Sequence, residues 1–393
     1  MRPSNINKIT LFNLGFRPFF LGASLFSIIT IILWVAVYNY QFPIPIENIL
    51  ISQWHAHEMI YGYCFAVIAG FLLTAVKNWT GLQTLHGIPL FILFILWLIG
   101  RVLFLFGTKL LLVAAFFDIT FSVFLGFAIA FPIIKVKQWR QLGILSKIIL
   151  FAVGNICFYA GALNYLDNGV HLSIYGGLYL VIALIMVISR RVIPFFIQRG
   201  VDYNLEIINF RSVDILNIIF LLVFLFSELF LSNQTLSSSM AFGLFVTNTI
   251  RLYFWHTRGI WVVPFLWSLY ISLVFIDIGF LLFAMMPFLS ISKFVAIHAF
   301  AFGGVGIITL SMMARVSLGH TGRSIKTPSK LIKNALFLLT LGAIVRVIFP
   351  LVNTNHYLIW IFISQIFWIT AFLLFAIVYI PILTKERIDG KLD

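Results

Sequence analysis

Residues 54–76 read WHAHEMIYGYCFAVIAGFLLTAV. From Ala56 to Val76 the run is apolar except at its start, where His57 and Glu58 stand side by side. An α-helix rises about 1.5 Å per residue, so a run of this length covers roughly 30 Å, the thickness of bilayer hydrocarbon. Gly62, Ala66, Gly70 and Thr74 recur every four residues, a spacing that lets a second helix backbone approach closely. The stretch reads as a transmembrane helix with a polar entrance.

Working outward, the same pattern repeats. Apolar runs fall at 19–38, 56–76, 88–106, 111–134, 146–166, 170–189, 213–231, 236–254, 260–283, 290–313, 333–352 and 357–381. Trp34, Trp54, Trp79, Trp139, Trp255 and Trp360 mark many of their ends, as interfacial aromatics do. The expected fold is all-α: a polytopic membrane protein of about twelve spans, forming a single transmembrane domain over residues 1–393.

Composition agrees. Mean hydropathy is +1.08 and charged residues make up 10 % of the chain, against about 25 % in soluble domains. Too few charges exist to cover a water-facing surface, which excludes a soluble enzyme. The net charge of +14 does not indicate nucleic acid, because the basic residues sit in short loops between apolar runs. The two cysteines, Cys64 and Cys157, lie inside apolar runs and read as packing, with no disulfide framework. The first run follows Arg17-Pro18 and is too long for a removable signal.

The basic residues also test the helix count. With the N-terminus in the cytoplasm, twenty-two Lys and Arg fall in cytoplasmic segments, from Arg2, Lys8 and Arg17 at the start to Lys385, Arg387 and Lys391 in the tail. The sixth loop holds Arg190, Arg191, Arg199 and Arg211. Only Lys109 and Lys293 fall outside, while Arg101 and Arg346 lie within helices. One span more or fewer would scramble this partition, so both termini are expected in the cytoplasm.

That topology fixes depth. His57 and Glu58 lie near the outer end of the second helix, His171 at the outer end of the sixth. Asp118 and His298 sit about two turns in on the fourth and tenth. Arg101, Asp277 and Arg346 lie roughly 10 Å below the outer surface on the third, ninth and eleventh. Charges inside a membrane are costly and mark functional sites by default. Two readings follow: acids and arginines pair structurally while interfacial histidines are wetted, or these groups form one buried polar site near the outer face. Their shared depth favours the second.

Imidazoles from different helices suit a metal or haem, and guanidiniums suit the carboxylates of haem propionates. The candidate metal ligands are His55, His57, His171, His298 and His356, with His320 on the inner side as a weaker one. His57, His298, Arg101 and Arg346 are the candidate cofactor-binding residues. Glu58, Asp118 and Asp277 are candidates for orienting the ligands. Each histidine alone is as readily a packed or wetted residue. If both are helical, His55 and His57 point about 200° apart and cannot grip one ion, so either His55 precedes the helix or the two serve different centres. His57-Glu58 is not a zinc-protease motif, because Tyr61 stands where the second histidine would be.

A set of longer motifs runs through the chain. Gly15-Phe16-Arg17-Pro18-Phe19-Phe20 precedes the first helix, and Trp54-His55-Ala56-His57-Glu58-Met59 opens the second. Asn78-Trp79-Thr80-Gly81 closes it. Arg190-Arg191-Val192-Ile193-Pro194-Phe195-Phe196 follows the sixth, and Met313-Ala314-Arg315-Val316-Ser317-Leu318-Gly319-His320-Thr321-Gly322-Arg323 follows His298. In these the chain resembles the NnrS family. The resemblance implies a bacterial cytoplasmic (inner) membrane protein carrying haem and copper, tied to nitric oxide metabolism and resistance to nitrosative stress, with nitric oxide as ligand. His55, His57, His298 and His320 match the family's motif histidines, and Lys77 stands where proline is expected.

By analogy with haem–copper oxidase subunit I, which also has twelve helices, histidines stand here on helices two, six and ten as His57, His171 and His298. Two other classes compete: a twelve-helix secondary transporter, and a metal-handling assembly factor for a respiratory complex. The loop after helix two lacks the basic signature of the largest transporter family, and the polar groups avoid the midplane where transporters bind. The residues are equally compatible with binding nitric oxide and with turning it over.

Overall fold

The computed structural model describes residues 9–390; Arg2, Lys8 and Lys391, counted above among the basic residues, lie outside the described residues. Among the described residues there is no strand, and twelve long helices account for the fold. They are α1 (Phe16–Tyr40), α2 (Ile51–Thr80), α3 (Gly87–Phe104), α4 (Leu111–Lys135), α5 (Leu142–Ala162) and α6 (Gly169–Gly200). Then follow α7 (Arg211–Leu231), α8 (Gln234–Trp255), α9 (Pro264–Met285), α10 (Lys293–His320), α11 (Lys330–Val352) and α12 (Tyr357–Thr384). Each expected run has its helix, and the chain is an all-α polytopic membrane protein.

Eleven of the helices are long and apolar enough to cross a membrane; α8 is the exception. Its Ser, Thr and Asn side chains lower its hydropathy, but neighbours satisfy several of them. Ser238 donates to the Phe283 carbonyl at 3.1 Å, and Thr247 accepts from Asn217 at 2.9 Å. Several ends differ from the sequence reading; α10, for example, runs on to His320 and takes in Arg315. α2 begins at Ile51, a turn early, because the Gln53 side chain accepts from the Leu50 amide at 2.8 Å and caps the helix. α6 continues to Gly200, past Arg190, Arg191 and Arg199, which are therefore helical and not in a loop. Arginine is a good helix former, so the end of the apolar run does not end the helix.

The helices group into two compact units. One contains the described residues up to Leu180, Met313–Ile325 and those from Phe372 onward; the other contains Val181–Met312 and Lys326–Ala371. In the first unit α1 packs on α2, α2 and α3 on α4, and α4 on α5. Short connections make sequence neighbours antiparallel. The start of α2, the end of α3, the start of α4 and the end of α5 consequently meet at one end, around Ile49, Trp54, Phe104, Leu111, Phe158 and Ala162. At Gly161 and Gly169 the backbones of α5 and α6 touch: an added Cβ would lie 2.5 Å from the Val170 nitrogen or 2.3 Å from the Cys157 carbonyl oxygen.

The first helix is tied to the last. Arg17, fully buried, donates from Nη1 to the carbonyls of Leu383 at 2.9 Å and Lys385 at 2.8 Å, at the C-terminal end of α12. Carbonyls there have no partner within the helix, and a cation also suits the negative end of its dipole.

Candidate functional site

Two helices depart from α geometry next to a histidine. In α2, residues Glu58–Cys64 wind as a π-helix immediately after His57; in α10, Ala299–Gly306 do so immediately after His298. Such widened turns occur often at functional sites. In α2 the wider turn leaves the Gly62 carbonyl accepting from Trp97 Nε1 at 3.0 Å. Tyr61 fills space left by Gly154 and Gly177, and its hydroxyl donates to the Ser173 carbonyl at 3.0 Å.

The widened turn carries His57 and Glu58 into the interior, where Arg101 of α3 and Asp118 of α4 meet them. All four are buried. Arg101 spans both acids, with Nη1 on Glu58 Oε1 and Nη2 on Asp118 Oδ2. A planar guanidinium can do this because its N–H groups diverge in a fixed fork; an ammonium would have to choose. His57 Nδ1 lies 3.0 Å from Glu58 Oε1, and Nε2 lies 3.1 Å from Asn155 Oδ1 and 3.7 Å from Asp118 Oδ2. Tyr159 donates its hydroxyl to Asp118 Oδ2 at 3.0 Å.

The Asn155 amide has only one workable orientation. Ser122 donates to the Asp118 carbonyl at 2.9 Å and accepts from Asn155 Nδ2 at 3.1 Å. Oδ1 of Asn155 therefore faces His57, and both ring nitrogens meet acceptors. Asp118 Oδ1 has no donor among the described residues. Phe158 stacks on the imidazole at 3.9 Å between centroids, and Phe104 and Tyr159 meet it edge-on. These rings exclude water, so each charge in the cluster depends on its neighbours.

The remaining candidates lie elsewhere. In the first unit His55 stacks on Trp34 at 4.3 Å, on a different face of α2 from His57. His171 is exposed beside Tyr175, and His320 is half-buried beside Phe16. In the second unit His298 is half-buried, with Nδ1 2.6 Å from the Phe294 carbonyl oxygen. His356 is exposed, 3.2 Å from Asn353 Oδ1. Asp277 is buried and accepts from Thr249 at 2.6 Å, and Arg346 is buried with its guanidinium 5.8 Å from the Tyr357 ring centroid. Among the described residues no three His, Cys, Asp or Glu side chains form a metal-binding group.

Sequence reasoning passed over Asn155, Tyr159 and Ser122. Asn155 had a signal: between Lys147 and Asn164 it is the one amide or charged side chain in the run. The family model described as NnrS protein matches residues 10–387. No curated protein matches the chain.

Proposed function

Because the chain belongs to the NnrS family, we propose that it is a haem- and copper-binding protein of nitric oxide metabolism, acting in resistance to nitrosative stress. On this reading it lies in a bacterial cytoplasmic membrane with both termini inside, and nitric oxide is its ligand. Family membership over nearly the whole chain supports the chemistry. The charge partition of the loops supports the orientation.

The cluster around Arg101 does not itself fit a metal. Both nitrogens of His57 face hydrogen-bond partners and Phe158 covers one face of the ring. Arg101 already engages two protein carboxylates, so it does not fit a haem propionate. We propose that histidines outside the cluster would hold the haem iron and copper, with His55, His171, His298, His356 and His320 as candidates and Arg346 as a propionate partner. A bound haem would supply the iron that takes up nitric oxide.

The cluster has another role: it ties α2, α3, α4 and α5 together through buried polar contacts. The observation that carries this is Arg101 on both Glu58 and Asp118, with the two His57 nitrogens facing Glu58 and Asn155. Absorbance and metal content of protein purified from haem- and copper-replete cells test the cofactor reading. A Soret band that shifts on adding nitric oxide is expected; a colourless, copper-free preparation overturns it.

A further inference from the structure

The second unit contains a polar centre that the nitric oxide reading does not use. Asp214 at the start of α7 pairs with two arginines: Arg190 of α6 lies 2.5 Å from Oδ2 as an ion pair, and Arg251 of α8 donates to Oδ1 at 2.9 Å. Two cations share one carboxylate, which leaves a unit of positive charge. Arg190 reaches toward solvent, whereas the Arg251 side chain is only 10 % exposed.

Beside Arg251 lies a cavity of about 20 Å³, walled by Met186, Leu273 and Ile276 and reached by Ser189, Asn248 and Arg251. Its size matches one water-sized particle. Asn248, 8 % exposed, has its amide orientation fixed from behind. Its Oδ1 accepts from Asn217 Nδ2 at 3.2 Å and from Arg251 Nη1 at 3.3 Å. Its Nδ2 therefore points the other way, and that buried donor has no acceptor among the described residues. An unmet buried N–H is costly.

The polar lining is rich in donors and poor in acceptors. Ser189 spends its hydroxyl proton on the Ile185 carbonyl at 2.5 Å, and Trp255 gives its N–H to Asn209 at 2.9 Å. Asp214 and Asp277, the nearby carboxylates, do not line the cavity. A water here could accept from Asn248 and give one proton to the Ser189 hydroxyl oxygen, but the other lining side chains offer nothing to receive its second. An anion needs only donors, and the excess positive charge favours it. We propose that this cavity binds a single monovalent anion of halide size, held by Asn248 Nδ2 and the Arg251 guanidinium.

The test uses the full-length protein in detergent, with sodium chloride or bromide titrated against sodium gluconate at constant ionic strength. Radiolabelled chloride should bind saturably at one site per chain, and halide should raise Tm saturably by roughly 2 °C at ten times Kd. Asn248→Leu and Asn248→Asp should each abolish both effects. A wild-type protein that shows no saturable chloride binding, as for a cavity that holds only water, overturns the proposal. So does an Asn248→Asp protein that binds chloride with wild-type affinity. If neither variant folds, the wild-type isotherm decides alone.

Discussion

Asn155 presents its side-chain oxygen to Nε2 of His57 at 3.1 Å, on the side of the ring opposite Glu58. The contact joins α5 to α2 through a neutral residue, and Ser122 sets its polarity. Replacing Asn155 by leucine removes the acceptor and leaves both the imidazole and Ser122 short of a partner. The expected cost is about 1–3 kcal/mol, read as a lower Tm of the purified protein. A variant as stable as wild type would show that the Asn155–His57 bond contributes nothing.

Arg101 carries more. Arg101→Gln leaves Glu58 and Asp118 buried without their cation, and breaking such a pair costs about 3–5 kcal/mol. Loss of most folded protein is expected, as judged by gel filtration in detergent. Adding Asp118→Asn to Arg101→Gln should restore part of it, because one uncompensated charge is gone. Arg101→Lys should fall between wild type and Arg101→Gln, since an ammonium cannot fork to two carboxylates.

His57 and His298 both follow the family's motifs, yet their settings separate them. Protein carrying haem should keep its haem content in a folded His57→Gln variant, because the ring is already committed on both nitrogens. His298→Ala tests the other histidine in parallel. Loss of haem from His57→Gln at unchanged Tm would place the iron at the cluster and sink the assignment made above.

The α5–α6 contact is tested at Gly169. A methyl group there meets the Cys157 carbonyl oxygen, which is backbone and cannot rotate away. Gly169→Ala should cost about 1–3 kcal/mol as overpacking. Gly126→Ala on α4, where an added Cβ meets nothing within 4 Å, serves as the control and should leave Tm unchanged or slightly raised.

The helices were legible because span length and charge partition are set by the bilayer, a solvent with a fixed thickness. Their ends were less so. The Gln53 cap and the continuation of α6 through three arginines are local hydrogen-bond and propensity effects that hydropathy does not see. Of the cluster, His57, Glu58, Arg101 and Asp118 stood out because charge in an apolar run is expensive. Asn155, Ser122 and Tyr159 cost little to bury once bonded, so composition gave them no prominence. The π turns after His57 and His298 are written in no periodicity, since they shift the helix by a single residue. Strict alternation of helix direction puts the start of α2, the end of α3 and the start of α4 at one end, and His57, Arg101 and Asp118 meet there.

The clasp between Arg17 and the carbonyls of Leu383 and Lys385 has a consequence for biosynthesis. The ribosome makes Arg17 well before its acceptors, which follow more than three hundred and sixty residues later. Until α12 arrives, the guanidinium at the head of α1 has none of these acceptors. The nascent first unit therefore waits for the end of α12 before it closes, and a message truncated ahead of Leu383 yields an intermediate that membrane quality control can recognise.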